Sequence, residues 1–175
     1  MTFGVSFAGL TGSSQRRALV LFVLVLPWLN PWTSGPSPEV MPWLMTFACL
    51  AAVLGAMPQG RAAWVAPVAL AWLLAALLSS AMGLMQYMGA SAAGASWVNG
   101  AALGEAFANL RQRNQFASLT NIGLLAVLWW SAQIKPQAQT PSKNKVWTAG
   151  LTLSTVLLAL GNAASSSGEL GSDSN

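Results

Sequence analysis

Charge is what this chain has least of: acidic and basic residues together make up 7% of its 175 residues, against about a quarter in an ordinary soluble domain. With 54% hydrophobic residues and a mean hydropathy of +0.53, too little polar material remains to cover a water-facing surface. Composition therefore predicts an integral membrane protein. Histidine is absent, which removes the usual general base and the usual zinc ligand. Cys49 stands alone, so an intramolecular disulfide and a cysteine metal site are excluded. Lying in "MTFACLAAVLG", it reads as a small buried hydrophobe. The four acidic residues are too few and too scattered for a carboxylate metal cluster. No metal and no cofactor is expected. The net charge of +4 does not point to nucleic acid either, because the basic residues lie singly between apolar runs and form no patch.

What the chain does have is apolar runs. Five segments, at about 18–33, 40–57, 62–83, 116–134 and 146–164, approach the roughly 20 residues that a membrane-spanning helix needs. The first contains Pro27 and Pro31 and follows "QRR", as a signal peptide would. It lacks a small-x-small cleavage site and more spans follow, so it is expected to remain as an anchor. The fold class is then all-α, a polytopic transmembrane helical bundle of about five spans. With the N-terminus in the cytoplasm, Arg16, Arg17, Arg61, Lys135, Lys143 and Lys145 all lie inside, six of the eight basic residues. The 34–42 loop, "SGPSPEVMP", carries none and lies outside. Trp28, Trp32 and Trp43 flank that loop, while Trp129, Trp130 and Trp147 bracket the 135–145 loop, positions that suit interfacial belts better than sugar stacking. Small residues four apart, Ala51 with Gly55 and Ala52 with Ala56, predict close helix packing there.

Arg111 and Arg113 break the charge rule by falling on the outer side. They follow "MGASAAGASWVNGAALGEAFANL", residues 88–110, too polar at Asn99 and Glu105 for a span and expected to form an outer loop with a short surface helix. Asn109 has the type and place of a helix N-cap, with Gln112 three positions on. A helix starting there puts both arginines in its first turn, where the helix dipole and unpaired N–H groups already favour an anion. Guanidinium forks suit phosphate, which they bind through two oxygens at once. Snorkelling of both arginines to lipid headgroups is the competing reading, and residue chemistry leaves the two even. Arg111, Asn114, Ser118 and Asn121, spaced 3, 4 and 3, share one helical face that stays polar until Leu125. Asparagine is costly in lipid, so this face is expected to meet other helices or a wet cavity.

The stretch "NLRQRNQFASLTNIGLL" resembles the signature of bacterial pilin and protein O-oligosaccharyltransferases, within the O-antigen ligase and polymerase superfamily. The preceding span pattern, the basic 135–145 loop and "LALGNAASSS" are similar to that family as well, so the resemblance covers most of residues 1–167. It implies a multi-pass glycosyltransferase of the bacterial inner membrane. Such an enzyme moves an oligosaccharide from undecaprenyl diphosphate to a hydroxyl of a periplasmic protein such as a pilin, or to lipid A in the ligases. It also implies that Arg111 and Arg113 approach the diphosphate while Asn114, Gln115, Ser118 and Asn121 shape the groove. Family members continue with an arginine-containing stretch, further spans and a long periplasmic loop bearing a catalytic histidine, whereas this chain reads "SSSGELGSDSN". The expectation is an N-terminal portion of such an enzyme, inactive alone, with an aberrant polar tail at 168–175 and its catalytic residue outside the chain. The alternative is a non-enzymatic membrane protein, a transporter half or assembly factor, holding an anion or lipid headgroup on its outer face.

Overall fold

A computed structural model describes residues 13–29, 40–56, 62–94, 97–110, 112–133 and 141–167. Arg61, Arg111, Lys135, Trp32, the 34–39 part of the first outer loop and the 168–175 tail lie outside them, as do the side chains of Arg16, Arg17, Trp43 and Lys143. The described residues form five α-helices: α1 Ser13–Leu29, α2 Val40–Ala56, α3 Ala62–Tyr87, α4 Arg113–Gln133 and α5 Pro141–Ser167. A 3-10 turn, Ser91–Gly94, lies between α3 and α4. No strand occurs among the described residues. Each helix covers most of one predicted apolar segment, and α1 extends back past Arg17. Pro27 sits near the end of α1, and Pro141 opens α5 at a position where its missing N–H costs nothing.

Among the described residues two helical stretches are long and apolar enough to cross a membrane, Val65–Tyr87 and Lys145–Ser166, while Ala18–Leu29 and Leu44–Gly55 are apolar but shorter. α4 is not among them, its first turns being diluted by Asn114, Gln115, Ser118 and Asn121. Two of the five predicted spans therefore meet the length and composition measure.

α3 is the axis of the bundle. It packs against α1, α4 and α5; α4 also packs against α5, and among the described elements α2 touches only α1. The reason is side-chain size. Ala69 and Ala76 on one side of α3, and Ala71 and Ala75 on the other, keep it thin where it is buried, and small residues let neighbouring backbones approach. A Cβ on Gly123 of α4 would fall 2.5 Å from the Ala76 Cβ, and one on Gly161 of α5 would fall 2.7 Å from the Ser80 Oγ. The small-residue pattern of α2 plays no such part: Ala51 and Ala52 are exposed and a Cβ on Gly55 would meet nothing within 4 Å. Close packing belongs to α3, α4 and α5, because α2 has a single neighbour to approach.

Large apolar side chains cover the outside, among them Phe22, Phe47, Leu125, Leu128, Leu153 and Val156. Such a surface is unfavourable in water.

Candidate functional site at the start of α4

The site begins with the way α3 ends. Gly89 takes a left-handed φ of 72°; its N–H donates to the Gln86 carbonyl (2.9 Å), and the Ala90 N–H to that of Met85 (2.7 Å). These are the paired bonds of a glycine-terminated helix C-terminus. The chain then folds back over the helix end, with the Gly104 N–H reaching the Tyr87 carbonyl at 3.1 Å.

Two buried amide side chains tie this loop down. Gln86, 0% exposed, donates through Nε2 to the carbonyls of Asn99 (2.9 Å) and Ala108 (2.8 Å). Its Oε1 accepts from the N–H groups of Phe107 (3.1 Å) and Ala108 (2.7 Å). Both polar groups of the Ala108 backbone are thus satisfied by one side chain, and Ala108 holds a φ of 51°. A non-glycine residue in that region costs about 1–2 kcal/mol, which the Gln86 bonds offset. Asn109, 2% exposed, accepts from the Asn99 N–H (3.0 Å) and donates to the carbonyls of Leu29 (2.8 Å) and Trp97 (2.7 Å). The ends of α1 and α3 and the residues leading into α4 therefore meet in one hydrogen-bonded knot.

That knot corrects the reading of Asn109 as an N-cap. α4 starts later, at Arg113, and the Phe116 N–H bonds the Gln112 carbonyl at 3.2 Å, so Gln112 occupies the capping position. The Asn109 amide is fully engaged three residues upstream. Gln86 escaped the sequence reading altogether. A lone glutamine in an apolar helix was the available signal, since it needs partners wherever lipid surrounds it.

Arg113 is the first residue of α4, and its Nη2 donates to the Glu105 Oε1 at 2.9 Å. The pair is partly exposed, 30% for Arg113 and 39% for Glu105. Around it the opening N–H groups of α4 lack intrahelical partners, as at any helix start. Asn114, Gln115, Ser118 and Asn121 are all exposed on the described bundle, whose buried α4 face is the opposite one, Phe116, Leu119, Thr120 and Gly123. The described helices therefore do not enclose the polar stripe. Thr120, off the stripe, is the polar residue that meets another helix: its hydroxyl donates to the Ala117 carbonyl (2.8 Å) and lies 3.3 Å from the Asn162 Oδ1 on α5.

Farther along α4 the same side turns apolar. Ile122, Leu125 and Trp129 face Val65, Val68 and Trp72 of α3 across an open groove of about 440 Å³. Ser118, Ile122, Leu125 and Trp129 are spaced 4, 3 and 4, so the polar stripe runs directly into this groove. The start of α4 can hold an anion, and the groove beside it can hold an apolar chain. No group of three or more metal-ligating side chains occurs among the described residues.

No curated protein and no solved structure matches the chain. A family model does match residues 106–130, which take in the Phe107–Asn109 part of the knot, the arginine-bearing turn and α4 down to its tryptophans: it describes a protein glycosylation ligase.

Proposed function

We propose that this chain is a polytopic protein of the bacterial inner membrane, with its N-terminus in the cytoplasm, that belongs to the protein glycosylation ligases and holds their lipid-linked donor. Arg111 and Arg113 take the diphosphate of an undecaprenyl-linked oligosaccharide on the periplasmic side. Asn114, Gln115, Ser118 and Asn121 line the way along α4, and the prenyl chain follows the stripe into the α3–α4 groove. From Arg113 to Ile122 is nine helical residues, about 14 Å at 1.5 Å each, a distance that a long prenyl chain covers. The acceptor is a hydroxyl of a periplasmic protein such as a pilin. The role assigned to the chain is donor binding.

One observation carries this reading: the protein glycosylation ligase match falls on the loop-to-helix junction where Arg113 is presented. The apolar outer surface supports the membrane setting.

The test is titration of lipid-linked oligosaccharide into the full chain in nanodiscs. Replacing both Arg111 and Arg113 by lysine keeps charge but loses the bidentate fork. A charge-assisted hydrogen bond contributes about 1.5–3 kcal/mol, so affinity should fall roughly tenfold or more. Lys143→Ala should leave it unchanged. Undiminished binding in the double lysine variant would mean that the arginines only reach for headgroups, as lysine also does.

A further inference from the structure

An anion site at the start of α4 has no need of a carboxylate, yet Glu105 stands 2.9 Å from Arg113. Stability does not account for it, since pairs this exposed contribute little. Its placement is nonetheless enforced. The Glu105 N–H donates to the Ala102 carbonyl at 3.0 Å, and Gly104 before it turns at a φ of 85°. Phe107 and Ala108 just after it are held by the Gln86 amide. Glu105 is also the one acidic residue among those described. A single carboxylate, fixed by its backbone, is aimed at the cation that opens α4.

We propose that Glu105 is the specificity determinant of the α4 site: a tethered monoanion that a diphosphate-bearing lipid displaces from Arg113 and a singly charged phosphodiester headgroup does not. The inference rests on the anion-binding reading of Arg113. A phosphodiester arriving from the bilayer would exchange one charged contact for another like it. It would also compete against a group whose tether gives it a high effective concentration. A diphosphate brings more charge and more oxygens. It engages the guanidinium fork and the free N–H groups of the first α4 turn together. With Glu105 on Arg113 that guanidinium is already neutralised, so a phospholipid headgroup gains little by taking its place, and discrimination comes from the repulsive element rather than from added attraction.

The experiment uses the full chain in zwitterionic nanodiscs, titrated with inorganic pyrophosphate, and repeats the titration with phosphatidylglycerol in the bilayer. Glu105→Gln keeps the shape and a hydrogen bond to Arg113 but removes the charge. It should tighten pyrophosphate binding about fivefold, the scale of a partly exposed ion pair. It should also let phosphatidylglycerol compete, which it does not do against the unsubstituted chain. The gain should vanish in the Glu105→Gln, Arg113→Gln double variant. Unchanged or weaker binding in Glu105→Gln, with Arg113→Gln alone still weakening it, overturns this proposal and leaves the donor site standing. Arg113→Gln without effect on pyrophosphate overturns both. A gain that persists in the double variant overturns the direct competition.

Discussion

At the scale of single residues, Gln86 carries more structure than any other side chain near the site. Four hydrogen bonds join it to the backbone of Asn99, Phe107 and Ala108. Gln86→Met, of similar length, would strip partners from two N–H groups and two carbonyls in a buried place. Each buried group left unpaired costs about 1–3 kcal/mol, so even partial rehydration should leave a loss of about 3 kcal/mol or more. The expected outcome is a clear drop in thermal midpoint, with amide exchange accelerating first in residues 97–110. If exchange there stays as slow as in the unsubstituted chain, the knot is held by something other than Gln86. Arg113→Lys serves as the contrast: it leaves the knot intact and should leave that exchange unchanged.

The helices present a different balance, in which the close approaches are made by residues with almost no side chain. Gly123 and Gly150 separate the effects. A Cβ at Gly123 would meet the Ala76 Cβ at 2.5 Å and the Leu158 methyls at 3.1 and 3.2 Å, whereas one at Gly150 would meet nothing within 4 Å. Gly123→Val should force α4 off α3 and α5, with an overpacking cost of about 1–3 kcal/mol. Gly150→Ala should be neutral or stabilising by up to about 1 kcal/mol, since it only improves helix propensity. Thermal unfolding in detergent reads both. Equal effects from the two substitutions would mean that the α3–α4–α5 contact does not limit stability. The tryptophans behave at this scale as well: Trp130 meets Trp129 edge-on at 5.1 Å and stacks on Trp147 of α5 at 6.4 Å. The residues read as an interfacial belt thus also clamp the far end of the α4–α5 pair.

For the whole molecule the open quantity is sidedness. The ends of α1 and α3 and the start of α4 gather at one end of the bundle, joined through Asn109 and Gln86, and the proposed orientation has that end outside. Gly100 is exposed there with open space around it, and Lys145 is exposed on α5, near its start. In a Cys49→Ala background, Gly100→Cys should react with an impermeant maleimide from the periplasm of intact cells. Lys145→Cys should react only after the inner membrane is opened. The reverse pattern would put the arginine-bearing turn in the cytoplasm and overturn the proposed periplasmic donor site with it.

Sequence alone determined the helices and their order, because the predominantly apolar segments that became helices of 17 to 27 residues have few ways to satisfy their backbone in lipid other than as helices. It also singled out the α4 start, since two arginines that break the charge pattern expected of a membrane chain need an explanation. Partners were another matter. That Arg113 meets Glu105, that Asn109 serves the α1 end and not the α4 start, and that Gln86 anchors the loop all depend on contacts between residues 8 to 80 positions apart. A local pattern such as a capping box cannot register contacts of that kind. The direction of the polar stripe was likewise decided in three dimensions. The thin faces that α3 and α5 offer to Phe116, Leu119 and Gly123 draw the opposite side of α4 inward, and Asn114, Ser118 and Asn121 are left on the outside of the described bundle.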